Sequence, residues 1–155
     1  MKKTLPPMLT ALALSLGLGS SLTASAAPNA SASESKTIEV YKNPNCGCCG
    51  KWVQHLQDAG FTVHTHETDA DAMRAKLGVP AQYASCHTAK VGGYVIEGHV
   101  PAADIKRLLK EKPQAIGLAV PGMPAGTPGM DAPSATRYDT LLIGRNGEHS
   151  VYASH

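Results

Sequence analysis

Three of the four cysteines of this chain lie within four residues, Cys46-Gly47-Cys48-Cys49, and the fourth, Cys86, lies far downstream. Three sulfurs so close together cannot all pair with one another. Vicinal and C-x-C disulfides are strained, because the required Cα separation and dihedral are hard to reach so locally. The comfortable pairings are Cys46 with Cys49, or one of the three with Cys86. A purely structural disulfide framework would space its cysteines differently. The cluster therefore suggests soft-metal ligation, dithiol redox chemistry at the C-x-x-C pair Cys46/Cys49, or both.

Three features tilt the choice towards metal. Cys48 has no role in a simple dithiol reaction but is a natural third ligand. Other soft or borderline donors are plentiful: His55, His64, His66, His87, His99, Met123 and Met130. The two methionines lie in a short repeat, Pro121-Gly122-Met123 and Pro128-Gly129-Met130, on a glycine-rich stretch. Thiolate and thioether together select Cu(I) over harder ions. Structural zinc normally uses two separated cysteine pairs, which a lone Cys86 does not supply. Thiolate count alone also allows an iron–sulfur cluster, which is harder to reconcile with export through a plain signal.

Each donor has a plainer alternative. His64 and His66 fall on one face of a strand, as a second site or as solvated histidines. His55 reads as a surface helix residue. His87 would point away from Cys86 in extended chain, and His99 either caps the helix after it or faces the site. Met123 and Met130 could fill gaps in the core. A lone apolar cysteine such as Cys86 is usually inert core, but here it opens a strand expected to lie against the cysteine motif, so its sulfur is expected to approach the cluster.

The elements that must position these groups are legible in outline. Residues 37–41 alternate as a half-buried strand, and residues 42–45 break it with turn residues. Residues 50–59 carry apolar side chains at helical spacing and stop at Gly60. A strand opens at residues 61–63, and a helix covers 69–77 with Thr68 or Asp69 as its cap. Strands at 85–91 and 94–97 join through Gly92-Gly93, and a helix follows over 101–110 with Pro101 near its start. The order β-α-β-α-β-β-α is that of an α/β, thioredoxin-like fold with a mixed sheet and flanking helices. In that fold the reactive cysteines sit where the first strand enters the first helix, where backbone N–H groups and the macrodipole favour thiolates. Residues 116–131, rich in Gly and Pro, read as a loop that is neither helix nor central strand. Residues 140–143 and 150–152 around Asn146-Gly147 read as a C-terminal β-hairpin.

The first 26 residues read as a cleaved export signal: Lys2 and Lys3, an apolar run over 8–18, and Ala24-Ser25-Ala26 as the cleavage site. The apolar run is too short for a stable span, so the mature chain is expected in a periplasm with no membrane attachment. Removing residues 1–26 takes two lysines and no acid, leaving 12 basic against 12 acidic side chains. That balance gives no footing for nucleic acid or an anionic membrane. Residues 27–36 are a small, polar lead-in, and 37–155 form a single domain.

The segments Tyr41-Lys42-Asn43-Pro44, Cys46-Gly47-Cys48-Cys49-Gly50, Ser85-Cys86-His87-Thr88-Ala89 and Gly93-Tyr94-Val95-Ile96-Glu97-Gly98-His99-Val100-Pro101, with the two Pro-Gly-Met elements, carry a resemblance. Over roughly residues 37–131 the chain resembles the CopG-like family of periplasmic copper-resistance proteins, long counted as a domain of unknown function. The resemblance implies a thioredoxin-like fold turned to copper. It also implies a multinuclear copper cluster on Cys46, Cys48, Cys49 and Cys86, with a redox role between Cu(I) and Cu(II). His87, His99, Met123 and Met130 join the expected ligand set from donor softness and position. The expected function is copper resistance by sequestration of Cu(I), with copper ions and other periplasmic copper-handling proteins as partners. A thiol–disulfide oxidoreductase using Cys46 and Cys49, with Cys48 or Cys86 resolving, and a copper chaperone to a membrane protein, are the alternatives. Whether the chain is an enzyme stays open.

Overall fold

The computed structural model of the protein describes residues 36–134 and 136–155. The expected export signal and the first nine residues of the lead-in lie outside the described residues. Strand β1 (Thr37–Lys42) buries Ile38 and Val40 on one face and carries Glu39 and Tyr41 on the other. Helix α1 (Gly47–Asp58) starts three residues earlier than its apolar spacing indicated, so that Cys48 and Cys49 lie in its first turn. Its buried side chains, Cys49, Trp52 and Leu56, form one stripe at i, i+3 and i+7. Strand β2 (Thr62–Glu67) follows. Helix α2 (Ala70–Lys76) is capped by Asp69, whose carboxylate accepts from the N–H groups of Asp71 and Ala72.

A single 3₁₀ turn (Ala81–Tyr83) leads to β3 (His87–Val91) and β4 (Tyr94–Glu97), and then to α3 (Ala102–Glu111). The sheet runs β2-β1-β3-β4, with β1 and β2 parallel and β3 antiparallel to both of its neighbours. This is the thioredoxin-like arrangement. The main core lies where Trp52 and Leu56 of α1 and Ile105 and Leu108 of α3 meet Ile38, Val40 and Ile96 of the sheet. A smaller cluster, including Val79, Tyr83, Val95 and Ile143, uses residues of opposite strand parity.

The chain beyond α3 corrects the sequence reading. Residues 116–119 are not loop: β5 (Ala115–Ala119) pairs parallel with β4 and sits inside the sheet. Strands β6 (Asp139–Gly144) and β7 (His149–Ser154) form the expected hairpin, and it extends the same sheet to seven strands, ending β4-β5-β6-β7. The apolar run before Pro121 is short and contains Gly117, so local pattern could not separate it from the Gly/Pro stretch that follows. The tertiary packing gives the reason for that glycine. A Cβ on Gly117 would lie 1.7 Å from the carbonyl oxygen of Val95, its register partner. The hairpin is also tied to α3, where the Arg107 guanidinium stacks 3.7 Å from the Tyr152 ring centre and donates to the Tyr152 carbonyl at 3.0 Å.

Gly117→Ala should therefore destabilise the fold by about 3 kcal/mol, the upper part of the usual overpacking range. Gly50→Ala, on an exposed helical position with nothing near its Cβ, should be stabilising by up to about 1 kcal/mol. Urea unfolding midpoints of the two variants against the parent check this pair.

Candidate metal centre

The site forms where β1 gives way to α1. Cys46 is the N-cap of α1 and makes no side-chain capping bond, and no acidic residue lies in the first turn. Cys46, Cys48 and Cys49 thus lie at the helix N-terminus, the setting that favours anionic ligands. Opposite them, the chain bends at Cys86 just before β3. The Cys48 sulfur lies 3.6 Å from that of Cys46 and 3.9 Å from that of Cys86, and the Cys49 sulfur lies 3.6 Å from that of Cys86. All four sulfurs lie within 4.8 Å of one another. In the form described here Cys46 and Cys49 are joined as a disulfide with Cα atoms 5.4 Å apart, while Cys48 and Cys86 are free thiols.

Two histidines complete the constellation. His99 Nε2 is 3.0 Å from the Cys86 sulfur and His87 Nδ1 is 3.4 Å from it. The bend at Cys86 is why His87 does not point away as an extended chain would require. His99 faces the site rather than capping α3. That cap falls to His55, whose Nε2 accepts the N–H of Ala102 at 3.1 Å. His55 is therefore half-buried between α1 and α3, not a plain surface residue, and burial holds its pKa below the usual value.

The donors are prepared for a cation. The carbonyl of Pro128 accepts from His99 Nδ1 at 2.6 Å, which leaves the Nε2 lone pair aimed at Cys86. His87 and His99 are fully buried, and desolvation lowers both pKa values, that of His87 to about 3. Both rings are neutral at pH 7, the form that ligates metals. His87 packs against Trp52 with ring centres 4.3 Å apart, and its buried Nε2 has no hydrogen-bond partner. Burial, and after it the neighbouring Cys48, push the Cys86 thiol up to about 12. A bound cation would reverse that.

The two Pro-Gly-Met repeats flank this centre. Gly129, at φ +86°, lies against the first turns of α1: a Cβ there would come within 2.8 Å of the Cys48 carbonyl oxygen and of the Trp52 nitrogen. Gly122 donates to the Ala84 carbonyl at 3.0 Å and accepts from the Ser85 hydroxyl. Met123 and Met130 thus sit on backbone anchored beside the cluster, Met123 exposed and Met130 half-buried. His64 and His66 lie elsewhere, on β2.

Sequence reasoning missed the groups that hold Cys86 in place. Arg74 of α2 reaches under the sheet to Glu97 of β4, Nε to Oε1 at 2.7 Å. The same guanidinium donates to the Ser85 carbonyl at 2.6 Å, and Glu97 Oε1 accepts the Ser85 N–H at 2.8 Å. Both backbone groups of the residue before Cys86 are therefore clamped by one buried ion pair. Burial raises the Glu97 pKa, and Arg74 and the Ser85 N–H oppose that rise. The only sequence signal was an arginine on the inner face of a short helix, and it has no local meaning.

Comparison with known proteins adds the family. A family profile described as a protein of unknown function, DUF411, matches residues 83–130. No curated protein matches the chain. Two solved structures of copper resistance protein CopG do match it. Form 2 is 44% identical with a TM-score of 0.73, covering 77% of this chain and 97% of that one. Form 1 is 43% identical with a TM-score of 0.74, covering 79% and 98%. This chain belongs to the CopG copper-resistance family. The chain is thus a CopG-like protein with a cysteine cluster able to hold metal, and no helix among the described residues is long and apolar enough to cross a membrane.

Two predictions follow from the buried groups. Glu97→Ala removes the buried partner of the Arg74 guanidinium and leaves it only the exposed carboxylate of Asp71, and should cost about 3 kcal/mol, read by urea unfolding. For His87, the folded pKa near 3 lies below the ordinary 6.5, so the unfolded chain binds the extra proton first as pH falls. Its stabilising contribution is complete above about pH 6.5 and is lost between there and about pH 3. Metal-free His87→Gln should show a shallower fall of unfolding free energy over that window than the parent.

Proposed function

We propose that this CopG-like protein is an exported, periplasmic copper-binding protein that holds Cu(I) in a multinuclear thiolate site and contributes to copper resistance by sequestration. The observation that carries the reading is the overlap of two donor sets at one sulfur. Four cysteine sulfurs form one set, and Cys86, His87 and His99 form the second. Six donors sharing Cys86 exceed the four of an ordinary tetrahedral site. A sulfur that belongs to two sets is placed to bridge two ions. The donors are soft thiolates and borderline imidazoles, the kind that selects Cu(I). His87 Nδ1 and His99 Nε2 both lie against the Cys86 sulfur, at 3.4 and 3.0 Å. In this reading Cys46, Cys48, Cys49, Cys86, His87 and His99 bind copper, and Met123 and Met130 supply thioethers from the flanking loop. The family name supports copper as the ion.

The disulfide favours a linked redox role. The four-thiolate site exists only when Cys46 and Cys49 are reduced. Their oxidation releases two electrons, one from each thiolate as the S–S bond forms, which balances reduction of two Cu(II) to two Cu(I). An ordinary thiol–disulfide oxidoreductase is less well served. An attacking thiol reacts as its thiolate, and of the two candidate resolving thiols, Cys48 and Cys86, that of Cys86 is pushed up to about 12.

Metal stoichiometry by native mass spectrometry, on reduced protein loaded anaerobically with Cu(I), tests this. More than one copper per chain is expected, with fewer retained by Cys48→Ser. No retained copper, with Cys46 and Cys49 instead cycling through their disulfide and Cys48→Ser fully active in exchange, would sink the copper reading and leave the oxidoreductase.

A further inference from the structure

The Cys46–Cys49 disulfide leaves two free thiols, and they face each other. The Cys48 sulfur lies 3.9 Å from that of Cys86, and both residues are half-buried, within reach of a small reagent. Cys48 belongs to the first turn of α1, while Cys86 follows the backbone that Arg74 and Glu97 hold at Ser85. Four cysteines allow three complete pairings. Cys46–Cys48 with Cys49–Cys86 needs a C-x-C bond, and Cys48–Cys49 with Cys46–Cys86 needs a vicinal one, both of them strained. The pairing that avoids such a bond is Cys46–Cys49 with Cys48–Cys86. Its first half is already closed.

We infer that Cys48 and Cys86 form a second redox disulfide, which makes the centre a four-electron store for the reduction of Cu(II). The inference rests on the copper reading for its oxidant, but not for its pairing. The two sulfurs stand about 2 Å beyond bonding distance, a gap of the size that side-chain rotation closes. In the step, each thiol gives its proton to water and one electron to one Cu(II). The S–S bond forms, and two Cu(I) result. Together with the Cys46–Cys49 pair, a fully reduced chain then reduces about four Cu(II), two for each two-electron couple. The two closures differ in what they do to the metal. The first withdraws Cys46 and Cys49 but leaves Cys86 beside His87 and His99. The second withdraws Cys86, the sulfur common to both donor sets, so neither set keeps a thiolate. Cu(I) depends on soft ligands, and the second oxidation is therefore the step that releases it.

The test counts electrons and thiols together. Untagged protein, fully reduced and freed of metal, is titrated anaerobically with Cu(II) beside a Cu(I)-specific chelator that reports each Cu(I) formed. About four Cu(I) per chain are expected, with no thiol left to alkylate and a monomer mass lower by about four hydrogens. Protein carrying Cys46→Ser and Cys49→Ser keeps only the second pair, and should yield about two Cu(I) with Cys48 and Cys86 joined within one chain. Diamide, a metal-free thiol oxidant, should close the same bond in that variant. A parent that stops at about two Cu(I) with Cys48 and Cys86 still open to alkylation overturns the inference. So does a double variant that keeps both thiols or joins them only between chains. Copper retention by the reduced protein is measured separately. Closure by diamide in a chain that retains no copper upholds the second disulfide and removes the sequestration reading alone. Retained copper with a single disulfide removes this inference alone.

Discussion

The buried contact between Arg74 and Glu97 is the constraint on which the site depends. Taking two charges out of water is costly, and hydrogen bonds from neighbours offset part of that cost. Here those neighbours are the N–H and C=O of Ser85. The ion pair thereby links α2, β4 and the segment entering β3, and it fixes the backbone one residue before Cys86. Gly98 and Gly122 then approach Ser85 closely, and Gly98 has no room for a side chain against Ser85 and the Val120 carbonyl. Cys86, His87 and the first Pro-Gly-Met repeat all inherit their positions from this clamp.

The other half of the centre is organised around Trp52. Its indole N–H donates to the Val100 carbonyl at 2.9 Å, and its ring packs against His87. One buried aromatic on α1 thus places the chain next to His99 and supports the second histidine. Gly129 rests on the same helical turns, and Pro128 sets the tautomer of His99. The result is a half-buried centre in which the buried imidazoles stay neutral and an isolated thiol resists ionisation. Such surroundings disfavour unassisted thiolate chemistry and favour a cation that brings its own compensating charge.

Two chemistries compete for the same sulfurs. A closed Cys46–Cys49 disulfide withdraws two of the four from ligation, so metal affinity and thiol redox state are thermodynamically linked. In a dithiol enzyme two thiols carry the exchange chemistry. Here a third sulfur lies inside the C-x-x-C pair and a fourth faces it, which makes ligation the use that engages every sulfur.

Local pattern by itself determined much of this protein. The periodicities of β1, α1, α2, β3, β4 and α3 identified the thioredoxin-like order, and Asn146-Gly147 identified the hairpin, because each depends on contacts between near neighbours in the chain. The same holds for the dense thiols and the Pro-Gly-Met repeat, whose softness needs no fold to be recognised. Tertiary structure decided the rest. Gly117 makes β5 a poor strand in isolation, and only the close approach of Val95 explains it. The cap of α3 by His55, the turn of His87 towards Cys86, and the Arg74–Glu97 clamp join residues distant in sequence. No window of local sequence carries a signal for such contacts, since the free energy that selects them comes from burial shared across the sheet.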